Sequence, residues 1–214
     1  DLDFNSLEIL HAAGLRSLGL VWSRPNAFGC GAPMVYQPEL YLGEGLTSAG
    51  KELVSKCEDL NIMIDLSHLT EAGFWDVAKI TDRPLIATHS NAHSLSPSAR
   101  NLTDRQLEAI AESVGIVGLN FHVGFLNALC DETADASLDQ MIRHLDHLIG
   151  ILGEDGVALG SDFDGCVLPS EIGNAGGLPN LISAMRASGF GDILIDKICR
   201  DNWLDVMERS LVGL

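Results

Sequence analysis

Basic residues are scarce: 13 Lys and Arg stand against 30 Asp and Glu, for a formal net charge of −17. A chain that displaces counterions from nucleic acid, or docks on an anionic membrane, needs a basic face. The composition therefore argues against both partners and favours a small or zwitterionic ligand, or a cation. Cysteine is sparse and unpatterned: the residues at 30, 57, 130, 166 and 199 are odd in number and include no CxxC pair. That disfavours a disulfide framework and a zinc knuckle, and points to a reducing, cytoplasmic compartment. No apolar run reaches the ~20 residues of a membrane span, and the first residues lack the basic, apolar and small-residue succession of a signal peptide. The start, DLDFNSLEIL, has no initiator Met and opens almost at once on a helix, so the chain is expected to begin inside a longer protein or to have been processed.

What the chain does have is core-forming material. Its 214 residues are 46% hydrophobic and 20% charged, as in a globular protein, and residues 1–214 are read as a single domain. Short apolar runs alternate with amphipathic segments, the pattern of β/α units around a parallel sheet. Strands are predicted at 17–22, 62–67, 84–89, 115–121 and 156–162, and helices at 5–13, 47–60, 70–80, 103–114, 136–152, 179–188 and 191–210. Thr47, Thr70 and Thr103 stand where helix N-caps belong, with Glu71 and Asp104 in the first turns that follow. Long loops, 23–46 and 163–178, follow the first and last strands; loops of that length usually carry function.

The polar residues fall at the ends of the apolar runs. His68 closes MIDLSH, His89 closes LIATHS, Asn120 and His122 flank the end of the fourth run, and Asp162 and Asp164 close the fifth. In β/α barrels the chemistry gathers at such C-terminal strand ends. Neighbouring parallel strands lie about 4.8 Å apart, so His68 and His89 are candidate ligands of one metal ion. Imidazole nitrogens suit zinc, and an adjacent carboxylate would fix their tautomer or carry a proton. Asp162 and Asp164, two apart, would crowd like charges on one strand face unless a cation or a shared proton intervenes or a turn separates them. Arg100 lies in SNAHSLSPSARN at the same end of the sheet, as either a bidentate carboxylate clamp or a salt-bridge partner for one of the 30 acids. Asp65 is read with equal weight as a structural carboxylate and as a support for the site. His144, Asp146 and His147 are read as helix-surface and helix-packing residues.

In this order and spacing, IDLSH, ATHSNAHSLSPSARN, GLNF, HLDHL and GSDFDG resemble the renal or membrane dipeptidase family, zinc metallopeptidases of the amidohydrolase type, from about residue 4 to about residue 210. The resemblance implies a TIM-type (β/α)8 barrel with two zinc ions that hydrolyses the peptide bond of dipeptides by a metal-bound hydroxide. It implies that His68 and His89 bind the second zinc, that Arg100 holds the substrate's terminal carboxylate, and that Asp162 is the acid/base. Asp164 would shape the loop or support the site. A dipeptide or similar small molecule is the expected partner, with a second copy of the chain in a homo-oligomer.

Two departures from the family pattern stand out. The HxD motif of the first strand and the bridging Glu of the third are not in this chain; only His11 precedes Trp22, within the first predicted helix. The five strands are then expected to be the last five of eight, leaving two open sheet edges and an uncovered inner face of Val, Ile and Leu that would drive association. Trp22 in LVWSRPN holds the place of a His that contacts substrate in many relatives. Rival readings are a non-catalytic fragment or half of a split barrel, and a related amidohydrolase acting on another small amide or lactone.

Overall fold

Helix starts follow directly from local chemistry. Thr47, Thr70 and Thr103 sit in extended backbone, and their hydroxyls accept from the N–H groups of Gly50, Gly73 and Gln106. Each satisfies an N–H that the first helical turn leaves without a partner. Ser137 does the same through Gln140, and at both Thr103 and Ser137 the glutamine side chain reaches back to complete a capping box. The computed structural model describes residues 3–37, 39 and 41–211. In chain order the elements are α1 (Asn5–Ala12), β1 (Ser17–Gly19), α2 (Ser48–Asp59), β2 (Met63–Asp65), α3 (Glu71–Ile80), β3 (Ile86–Ala87) and α4 (Asp104–Glu112). There follow β4 (Ile116–Leu119), α5 (Val123–Leu126), α6 (Leu138–Leu152), β5 (Val157–Leu159), α7 (Leu178–Ala187), α8 (Asp192–Asp196) and α9 (Asn202–Leu211).

The five strands form one sheet in chain order, every neighbouring pair parallel. Its register runs through Gly19↔Asp65, Asp65↔Ile86, Ile86↔Ile116 and Val117↔Val157. Among the described residues the sheet is open, with β1 and β5 as its edges. The strands are shorter than the apolar runs that contain them, and after β2, β3, β4 and β5 the residues that leave the ladder carry the polar side chains. Crowding there is close: a Cβ on Gly118 or Gly160 would lie 2.0 or 1.9 Å from the Thr88 carbonyl oxygen, so only glycine fits at either place.

The helical face of the sheet holds the larger core, in which Val117, Leu119 and Val157 pack with Leu107, Ile110, Leu145 and Leu148. The other face differs from expectation. Ile86, Ile116 and Ala158 are buried there beneath Val206 and Trp203 of α9, so the base of the inner face is covered. Arg83 binds the Ser210 carbonyl at 3.1 Å and Arg209 the Val114 carbonyl at 2.9 Å, which stretches α9 across the approaches to β3 and β4. The edge of β5 is also occupied: the carbonyls of Val157 and Leu159 accept from Asn202 Nδ2 at 2.8 Å and Trp203 Nε1 at 3.0 Å. The segment 191–210, expected as one helix, carries a π-helical turn at Lys197–Asp201 between α8 and α9. All five cysteines are free thiols.

Candidate active site

The ends of β2 and β3 bring two imidazoles together. After Leu66, whose N–H still reaches the Ile86 carbonyl at 2.8 Å, the backbone turns sharply and His68 adopts φ 72°. A non-glycine residue in that region is held by its surroundings, a form of strain that concentrates at functional sites. His89 leaves the end of β3, and the Nε2 atoms of the two rings lie 3.1 Å apart. Two nitrogens each ~2.0–2.1 Å from a tetrahedral zinc stand about 3.3–3.4 Å apart, so the pair needs to shift only a few tenths of an ångström to share an ion. Both far nitrogens are held: His68 Nδ1 by Ser23 Oγ at 2.9 Å and His89 Nδ1 by Thr88 Oγ1 at 2.6 Å. Burial, then the Arg100 guanidinium and the neighbouring His89, push His68 down to about 2. Burial lowers His89 as well, against the opposing pull of Asp65. Both rings are thus neutral, the form that ligates metal. Among the described residues no group of three or more His, Cys, Asp or Glu side chains is placed to hold a metal ion, so these two are half of a site at most.

Arg100 is buried, with 3% of its surface exposed. Its Nη2 donates to the His89 carbonyl at 3.2 Å and its guanidinium lies 5.4 Å from the Phe125 ring centroid, while Nε has no partner. Burial lowers its pKa to about 10, with Asp65 and Asp162 pulling the other way, so the group remains a cation at neutral pH. Of the two readings of Arg100, the salt bridge is not what is seen: among the described residues it forms no ion pair, and it stands as a desolvated donor with capacity to spare.

Asp162 and Asp164 both have positive φ, 56° and 66°, which breaks the strand alternation that would have stacked them. Asp162 turns inward and its Oδ2 accepts from Asn120 Nδ2 at 3.1 Å, whereas Asp164 is exposed. A turn, closed by Gly165 N–H on the Asp162 carbonyl at 3.0 Å, separates the two charges. Trp22, Met34, His68, His122, Phe125 and Asp162 surround a cavity of about 220 Å3. The long loop after β1 reaches this cavity because isolated bridges, Gly31↔Leu69 and Tyr36↔Ser98, pin it to its neighbours.

Other candidates lie elsewhere. His144 is a buried packing residue whose Nδ1 accepts from Ala92 N–H at 3.2 Å, and burial lowers it to about 4. His147 pairs with Asp104 at 2.8 Å and Asp146 faces solvent, as helix-surface residues do. His93 meets the Gln37 carbonyl, and His11 lies on α1. Asp65 bonds to the Ser67 and Thr88 N–H groups and stands 3.8 Å from His89. Sequence reasoning missed Ser23 and Thr88 and gave Asn120 no partner; the adjacency of Thr88 to His89 in ATHS was the available signal.

A model of the membrane dipeptidase family, peptidase family M19, matches residues 1–211. The chain belongs to that family. It is 47% identical over 209 residues to an uncharacterized protein in the pqqA 5′ region of Klebsiella pneumoniae, covering 98% of this chain and 77% of that one. Two solved structures are each 52% identical to it over 98% of its length. One is the dipeptidase AC, an M19 metallo peptidase, with a TM-score of 0.94; the chain covers 62% of it. The other is a metallo peptidase from Rhodobacter sphaeroides liganded with a phosphinate mimic of the dipeptide L-Ala-D-Ala, with a TM-score of 0.93; the chain covers 60% of it. This M19 chain thus spans about three fifths of the solved proteins it resembles.

Proposed function

We propose that the complete protein is a zinc-dependent dipeptidase, and that the five strands described here are the last five of an eight-stranded (β/α)8 barrel. The observation that carries the reading is the convergence of His68 and His89, Nε2 to Nε2 at 3.1 Å, beside a buried Arg100 with an unpartnered Nε. A parallel sheet in chain order, with polar groups at its C-terminal ends, supports that reading. The share of the dipeptidase AC that the chain covers, 62%, is close to five strands in eight. The mimic bound by the Rhodobacter relative supports a dipeptide as substrate.

In this proposal His68 and His89 hold part of the metal site, and the remaining ligands belong to the complete protein. Zinc, when bound, supplies a Lewis acid and lowers the pKa of the attacking water. Asp162, held by Asn120, takes the water's proton and returns it to the leaving amine. Arg100 receives the substrate's terminal carboxylate through Nε and its remaining N–H groups; burial strengthens that charge-assisted contact. A homo-oligomer in a cytoplasmic setting completes the proposal, and the five free thiols fit that setting. The test is metal content and dipeptide turnover of the complete protein. His68→Ala and His89→Ala are each expected to lower bound zinc and abolish turnover; unchanged metal in both by elemental analysis refutes the ligand assignment.

A second reading, hydrolysis of another small amide or a lactone, draws on one observation. Trp22 stands half-exposed at the cavity, its ring 6.1 Å from that of His68, where the resemblance implies a histidine in many relatives. Assay of a dipeptide beside an N-acyl amino acid and a lactone separates the two.

A further inference from the structure

Beside the two imidazoles lies a chain of short contacts with a fixed direction. Thr88 Oγ1 is 2.5 Å from Asp65 Oδ2 and 2.6 Å from His89 Nδ1. Asp65 Oδ1 meanwhile accepts from Ser67 N–H at 3.0 Å and Thr88 N–H at 2.9 Å. A carboxylate only accepts, so the single hydroxyl proton of Thr88 is committed to Asp65. The threonine oxygen is then left as an acceptor, and the group facing it, His89 Nδ1, must bring the proton.

We infer that Asp65 and Thr88 are positioning residues which lock His89 in its Nδ1–H tautomer, so that the Nε2 lone pair points at the place shared with His68 Nε2. The inference rests on the metallopeptidase reading of the site and deepens it: the supporting part expected of Asp65 is given a route, through the Thr88 hydroxyl. It accounts for the 3.8 Å between Asp65 Oδ2 and His89 Nδ1, too long for a direct bond and right for one hydroxyl between them. Metal-binding histidines commonly use a carboxylate or a carbonyl for this purpose. Here the carboxylate acts through a neighbouring hydroxyl that also ties the end of β2 to the end of β3, so ring tautomer and strand spacing are set by the same three groups.

The direction of the chain makes the inference testable by reversal. In Asp65→Asn the amide oxygen is required by the Ser67 and Thr88 N–H groups, which turns the amide NH2 toward Thr88. The amide then donates to Thr88 Oγ1, whose proton swings to His89 Nδ1, and the imidazole proton moves to Nε2. Nitrogen-15 NMR of the histidine-labelled, metal-free complete protein reads the tautomer directly. The expected result is Nδ1–H at His89 in the parent, Nε2–H in Asp65→Asn, a mixture in Thr88→Val, and the parent form again in Thr88→Ser. Zinc affinity by chelator competition should fall about 10- to 100-fold in Thr88→Val and Asp65→Asn, the usual effect of removing such a partner, and return in Thr88→Ser. An Nε2–H tautomer in the parent, or a tautomer unmoved by both Asp65→Asn and Thr88→Val, overturns the inference. Because the tautomer is read without metal or substrate, a protein that shows the expected tautomers yet binds no zinc supports the relay and refutes the metallopeptidase reading alone.

Discussion

The two ends of the sheet are built on opposite principles. At the N-terminal end Ile86, Ile116 and Ala158 are fully packed under α9 in ordinary backbone, with no charge among them. At the C-terminal end, where His68, His89 and Asp162 stand two or three residues past the ends of β2, β3 and β5, lie two imidazoles and a carboxylate beside the buried Arg100 guanidinium, with His68 and Asp162 in left-handed backbone. Burial at the base gains free energy from apolar contact; burial at the top costs it, because charged and polar groups leave water with incomplete partners. A protein that keeps the second kind of burial keeps it for chemistry, and the base supplies the stability that the top consumes.

That contrast predicts that substitutions at the top change rate and those at the base change stability. The largest effect is expected for Asp162→Asn, which suits the positive φ and should leave zinc bound while lowering kcat by about 10²–10⁴, the span for a lost acid/base group. A variant turning over at the parent rate with metal in place would make Asp162 structural. Next is Ile116→Ala at the base, expected to cost about 2–5 kcal/mol of stability by denaturant unfolding, with kcat of the folded fraction unchanged. A large loss of kcat there would erase the distinction between the two ends. Arg100→Ala should lower kcat/KM for a dipeptide by about ten- to a hundredfold, the worth of a charge-assisted hydrogen bond, and much less for the dipeptide's C-terminal amide; equal losses on both substrates remove the carboxylate role. The smallest effect is Thr47→Ala, a helix cap that does not line the cavity, which should cost about 1 kcal/mol through the lost α2 cap and leave kinetics alone.

The site was partly legible before the fold was known. His68, His89, Arg100 and Asp162 were picked out because each closes an apolar run or follows one, and the sheet does bring them to one end. Their partners were not legible. Ser23 lies 45 residues from His68 and Asn120 lies 42 from Asp162, separations at which an ordinary serine or asparagine carries no local signal. The expectation of a bare inner face failed at its base for the same reason: nothing in the amphipathic pattern of 191–210 tells that Trp203 and Val206 will pack over Ile86, Ile116 and Ala158.

The sequence by itself determined the order of the five strands and the longer helices, the helix starts at Thr47, Thr70 and Thr103, and the placement of polar residues at strand ends. All of these are contacts within a few residues, governed by periodicity and by the free N–H groups of a first helical turn. Only the tertiary structure decided that His68 and His89 face each other at 3.1 Å, that Asp162 turns in while Asp164 turns out, and that a buried Arg100 is left with an unpartnered donor. Those outcomes depend on register between parallel strands whose connections run through whole helices, and on burial, which is a property of everything packed around a residue and of no short stretch of chain.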